Sequence, residues 1–81
     1  MAHHTFTLNS EYIELDKLLK LLAIAPSGGI AKMMVAEGAV SVDGELETRK
    51  TRKLRAGCVV EVAAGEFGAG ETIRVVGADG A

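Results

Sequence analysis

The sequence predicts an α+β fold: two packed amphipathic helices against a small, mostly antiparallel sheet. Three observations predict it. Apolar residues recur at three-four spacing twice in succession over residues 13–37. An alternating stretch then meets Asp43-Gly44, a strong hairpin signal. Two further alternating stretches, residues 58–62 and 72–76, complete a small sheet.

Each element follows from its residues. Thr5-Phe6-Thr7-Leu8 alternates polar and apolar and reads as a short strand, broken by Asn9 and Ser10. Residues 13–25 form the clearest helix, with Leu15, Leu18, Leu19 and Leu22 on one stripe, widened by Ile13, Leu21 and Ile24. Asp16, Lys17 and Lys20 fall on the other side, the two lysines close enough to be surface neighbours. Pro26 ends this helix, because its ring cannot continue the hydrogen-bond ladder and it disfavours helical dihedrals at Ala25.

Ser27 then caps a second helix over residues 28–37. Ile30, Ala31, Met34 and Val35 make its apolar stripe, with Lys32 pointing away, and Gly38 closes it. Ala39-Val40-Ser41-Val42 enters the hairpin, and Leu46 and Thr48 belong to its return. Ala56-Gly57 marks another turn, the glycine-rich residues 65–70 a flexible one, and residues 77–81 a loose tail.

The chain has 81 residues, which suits one domain and not two. A single domain over residues 1–81 is expected, with a core motif at 13–62 and a C-terminal strand and tail at 63–81. The apolar fraction of 48% is ample for a core, built from aliphatic residues because Phe6, Tyr12 and Phe67 are the only aromatics. No apolar run approaches the ~20 residues of a membrane span. Cys58 stands alone, so neither an internal disulfide nor a cysteine-based zinc site can form. The start, Met1-Ala2-His3-His4, lacks the features of a signal peptide. A cytoplasmic location is expected, with no membrane partner.

Net charge is −2 and the isoelectric point about 5.6, which argues against a polyanionic partner. The distribution argues otherwise. Five of the nine lysines and arginines lie in Arg49-Lys50-Thr51-Arg52-Lys53-Leu54-Arg55, a stretch containing no acid. Charge acts over roughly a Debye length, ~8 Å at physiological salt, so the local balance matters more than the total. Such a run either keeps the protein soluble as a solvated loop or neutralises phosphates, releasing their condensed counterions. If the helices pack by their apolar stripes, Lys17, Lys20 and Lys32 can join it on one surface; singly, each is an ordinary exposed helix residue. Ser27-Gly28-Gly29 opens a helix whose first amides lack partners, so a phosphate can approach there. Simple capping after Pro26 accounts for the same residues. With no aromatic interleaved in the run, base stacking is not expected.

Nothing reads as a catalytic centre. His3 and His4 fall in an expectedly frayed terminus, and Cys58 sits in a strand pattern as a small hydrophobe. Glu14 and Asp16 do not face one another on a helix, while Glu45 and Glu47 flank Leu46 on the hairpin and are expected to be solvated. No enzyme activity, cofactor or small-molecule substrate is expected.

These residues resemble a known family. Ile13-Glu14-Leu15-Asp16-Lys17-Leu18-Leu19, then Ala31 through Gly44, then Ala56-Gly57-Cys58-Val59-Val60-Glu61-Val62, look like the alpha-L RNA-binding domain, the kind found in ribosomal small-subunit protein four. That family's pattern is a Leu-Asp helix, a second helix ending in Glu-Gly-x-Val-x-Val-(Asn/Asp)-Gly, and a Gly-x-x-(Val/Ile)-x-Val strand. Glu47-Thr48-Arg49-Lys50 is similar to a stand-alone bacterial subgroup in which the domain is the whole protein.

The resemblance implies binding to structured RNA, rRNA or tRNA-like, in ribosome assembly or translation, by a monomer. Family members include ribosomal proteins, pseudouridine synthases, tyrosyl-tRNA synthetases and a ribosome-associated heat-shock protein. By position, the implied RNA-facing residues are Lys17, Lys20, Ser27, Gly28, Gly29, Lys32, Arg49, Lys50, Arg52 and Lys53, with Arg55 as a companion. Two departures remove positive charge from that surface: Glu14 stands where many members have Arg, and Gly28-Gly29 where many have Ser-Arg. The low net charge and Glu14 favour a rival reading, a protein-interaction adaptor that docks onto an acidic partner.

Overall fold

The chain runs through strand β1 (Ala2–Thr7), strand β2 (Ile13–Glu14), helix α1 (Leu15–Leu21) and helix α2 (Gly28–Ala36). Strands β3 (Val40–Val42), β4 (Glu45–Leu46), β5 (Lys53–Leu54), β6 (Val59–Val62) and β7 (Glu71–Val76) follow. This is a computed structural model, and residues 2–65 and 70–77 are described. Five strands form one sheet in the order β1-β7-β6-β3-β4, while β2 and β5 form a separate antiparallel ribbon. In the sheet only the β1·β7 pair is parallel. The class is α+β, with two helices packed on a mostly antiparallel sheet.

One core joins the layers. Leu15, Leu18 and Leu19 of α1 and Ala31, Met34 and Val35 of α2 are buried with Val40, Val42, Val60, Val62, Ile73 and Val75 of the sheet. Alternation along the strands produces this: Ser41, Glu61 and Arg74, lying between the buried residues, point away from the core. Each large apolar side chain sealed inside contributes about 1.5–3 kcal/mol. Leu54 is fully buried as well, so the ribbon is anchored to the same core.

Several boundaries differ from the sequence pattern, each for a reason outside the local sequence. The first helix starts at Leu15, because Ile13 and Glu14 pair with Leu54 and Lys53 across the ribbon. It ends at Leu21. Ala23 turns left-handed at φ 59, and the amides of Ile24 and Ala25 both reach back to the Leu19 carbonyl at 3.0 and 3.1 Å. This reversal tucks Ala25 into the core ahead of Pro26.

The second helix matches its expected start, with the Ser27 hydroxyl accepting from the Ile30 amide at 3.2 Å. In the hairpin, Asp43 and Gly44 both have positive φ, 52 and 84, the geometry that a two-residue turn matching strand twist requires. Asp43 also accepts the Val59 amide through Oδ1 at 2.9 Å, tying the turn to β6. The return strand is shorter than expected, ending at Leu46.

The N-terminal strand is longer than expected and includes His3 and His4, which therefore do not lie in a frayed end. His4 Nε2 is 2.7 Å from Glu71 Oε1 across the β1·β7 pair. Cys58 lies just before β6, half-buried against the core. Most of the expected glycine-rich turn, residues 66–69, and most of the tail, residues 78–81, lie outside the described residues. Among the described residues no helix is long and apolar enough to cross a membrane.

Candidate nucleic-acid interface

The first amides of any helix lack an intrahelical acceptor. In α1 the basic segment supplies acceptors. The Leu15 amide donates to the Arg52 carbonyl at 2.9 Å and the Asp16 amide to the Lys50 carbonyl at 3.0 Å. The Lys17 amide is taken by Asp16 Oδ1 at 2.9 Å. The run is therefore not a loose loop. It lies across the start of α1, held by backbone hydrogen bonds and by the buried side chain of Leu54.

A buried carboxylate organises the same segment. Glu47 is 5% exposed. Its Oε2 accepts from the Arg49 amide at 3.0 Å and from Arg49 Nε at 3.1 Å; its Oε1 accepts from Arg49 Nη2 at 3.2 Å and Arg52 Nη1 at 2.6 Å. These charge-assisted bonds compensate the desolvation of the carboxylate. The Arg49 guanidinium and amide, together with Arg52, lower the Glu47 pKa to about 2. The expectation of a solvated Glu47 is thus wrong. Period-two alternation describes which way a strand residue points, and β4 has already ended at Leu46.

The cations divide into two groups. Arg49 and Arg52 are paired with Glu47, and Lys17 Nζ is paired with Glu14 Oε1 at 3.1 Å, a hydrogen bond that raises the Lys17 pKa. Lys50, Lys53 and Arg55 have no carboxylate partner among the described residues. Strand register sets Glu14 opposite Lys53, so Lys17, Glu14 and Lys53 lie side by side. Acids do intervene among these cations, Glu14 at Lys17 and Glu47 at Arg49 and Arg52, and Glu47 also holds the Arg49 backbone in place.

Six of the residues singled out by sequence, Lys17, Arg49, Lys50, Arg52, Lys53 and Arg55, come together around the start of α1 and the ribbon. Lys20 is exposed three residues further along α1. Lys32 is exposed on α2, and Ser27, Gly28 and Gly29 stand at that helix's start. Among the described residues no hydrogen bond or ion pair joins these five to the basic run. Ser27 acts as a helix cap, and a Cβ at Gly28 would meet nothing within 4 Å, so that helix start is open.

Sequence reasoning missed one further residue. Tyr12 precedes β2, is exposed, and has Lys53 Nζ 5.1 Å and the Arg55 guanidinium carbon 5.6 Å from its ring centroid. Both lie within cation–π range. The run contains no aromatic in sequence, but the ribbon brings one to it. Nothing local to either segment signals this; it follows from pairing Ile13 with Leu54.

Comparison with known proteins gives a consistent picture. Residues 6–76 match the S4 domain family. The chain is 44% identical over 73 residues to YbcJ of Escherichia coli (strain K12), covering 89% of this chain and 96% of that protein. It is 41% identical over 56 residues to a Bacillus subtilis (strain 168) protein named "Probable ribosome maturation protein RlbA", covering 69% of this chain and 79% of that one. The fold is similar to the solution structure of YbcJ from E. coli, described as revealing an alpha-L motif involved in RNA binding. Here the TM-score is 0.61 at 42% identity, over 86% of this chain and 85% of the other.

Proposed function

The chain belongs to the S4 domain family, and from that premise we propose that it binds structured RNA, rRNA or tRNA-like, through the basic face around the start of α1. The observation that carries this reading is the docking of the basic run on α1 through the Arg52 and Lys50 carbonyls. A run fixed in this way presents Lys50, Lys53 and Arg55 as an ordered set of donors. Its entropy of ordering has already been spent in folding, which favours binding to a partner of matching shape.

Recognition is by phosphates and RNA shape, since helical RNA exposes its backbone and 2′-hydroxyls more readily than its base edges. Lys50, Lys53 and Arg55 contact phosphates directly. Arg49 and Arg52 keep N–H groups not engaged by Glu47 and can add to them. Lys17 and Lys20 extend the face along α1, and Lys32 with the Ser27-Gly28-Gly29 helix start extends it onto α2. The role is non-enzymatic and requires no cofactor. The names of YbcJ and RlbA support RNA binding and a task in ribosome maturation; a monomer acting in translation or ribosome assembly in the cytoplasm is the form we propose for it.

The test is fluorescence anisotropy of the full chain with a folded rRNA or tRNA fragment at ~150 mM salt, where phosphate contacts still bind measurably. Saturable binding stronger than to an unstructured strand of equal length is expected. Absence of RNA binding, with retention on an acidic protein surface, would replace this reading by the adaptor.

A further inference from the structure

We propose that Tyr12 is a stacking site for one unpaired nucleobase, with Lys53 and Arg55 taking the phosphates beside it; this rests on the RNA-binding reading. Of the described Phe and Tyr rings, Tyr12 is the exposed one, Phe6 being packed against the core. Its backbone is held: the Ser10 hydroxyl donates to the Tyr12 carbonyl at 2.9 Å, and the next two residues are paired in β2.

The surroundings of the ring differ in kind. Ser10, Tyr12, Ile13, Glu14 and Lys17 line a surface depression, in which Glu14 and Lys17 neutralise each other. Lys53 and Arg55 stand against the ring without lining that depression. A nucleotide has the same division: an uncharged planar base and an anionic phosphate. The base fits the neutral depression and its aromatic wall, and the phosphates fit the two cations. Two side chains already lie near the ring, so a base must compete with them. An exposed cation–π contact changes an equilibrium by about 2- to 5-fold, so the two together by about 4- to 25-fold, whereas a base stacked on an aromatic is worth about 5- to 150-fold. The balance tips to the base because the displaced cations remain within reach of its phosphates and regain a partner there.

The required ligand is a base free of its own helix, as in a loop or bulge of folded RNA. The chain has one tyrosine and no tryptophan, so its intrinsic emission reports on Tyr12 alone. The experiment titrates the full-length protein, Tyr12→Phe and Tyr12→Leu with a hairpin carrying unpaired loop bases and with a blunt duplex of equal length. Circular dichroism checks that each variant is folded.

Saturating hairpin should quench wild-type tyrosine emission, and duplex should not. Tyr12→Leu should bind the hairpin at least ~5-fold more weakly and the duplex within about 2-fold, while Tyr12→Phe keeps hairpin affinity. Hairpin binding without quenching, or with unchanged affinity in Tyr12→Leu, overturns the stacking site and leaves RNA binding standing. Equal losses for hairpin and duplex would mean that the ring only positions the cations, which also overturns it. Failure of the wild type to bind either RNA sinks both readings.

Discussion

Arg52 Nη1 lies 2.6 Å from Glu47 Oε1, and the Arg52 carbonyl accepts the first amide of α1 from Leu15. One residue thus ties the end of the β3·β4 hairpin to the start of a helix. The basic segment is held between these two points, and the side chains that it leaves unpaired inherit that order.

Acid should loosen this tie. The Glu47 carboxyl is held at about 2 instead of its ordinary 4.5, by the Arg49 guanidinium first, then the Arg49 amide and Arg52. Because the folded-state value is the lower one, the stabilisation is fully present above about pH 4.5 and is lost as pH falls toward 2. Discounted for the exposed Arg49 side, about 1–3 kcal/mol is at stake. Urea unfolding at pH 7 and pH 3 measures it, and Glu47→Gln should show a smaller difference between the two.

Removing both arginines should harm the fold before it informs on binding. Arg49→Ala with Arg52→Ala leaves an inward-facing carboxylate without its cations, a loss of about 1–3 kcal/mol given the exposed Arg49 side chain. The measurement is urea unfolding of the double variant beside a triple variant that also carries Glu47→Leu. Partial recovery in the triple variant is expected, since it removes the orphaned charge.

Leu54→Ala should detach the ribbon. Leu54 is fully buried and opposes Ile13, so truncation costs about 2–5 kcal/mol. Hydrogen exchange gives the local signature: the Leu15 and Asp16 amides should exchange faster than those of the β6·β7 pair.

Ser27→Ala removes the acceptor for the Ile30 amide and should lower stability by about 1 kcal/mol, with Ser27→Asp close to the wild type. Denaturant midpoints of the three proteins decide it.

The helices and the hairpin were legible in the sequence because their causes are local. The leucine stripe of α1, Ser27 before α2 and Asp43-Gly44 each act within a few residues. The site was legible in part. A run of cations is visible as composition, but its anchoring is not, since Glu47 turns inward only where Arg49 and Arg52 fold back over it. Tyr12 was invisible for the same reason: its neighbours Lys53 and Arg55 arrive through the β2·β5 pairing. That pairing also shifted the start of α1, and β1, whose partner lies at the far end of the chain, extended back over the two histidines.

The most direct test of the basic face is the salt dependence of binding to one folded RNA by the wild type and by Lys50→Ala with Lys53→Ala. Removing one cation that neutralises a phosphate reduces the slope of log K against log salt by about one, so the double variant should be shallower by about two, with an unchanged unfolding midpoint. An identical slope in the two proteins would contradict the account, because the RNA would then be held somewhere else.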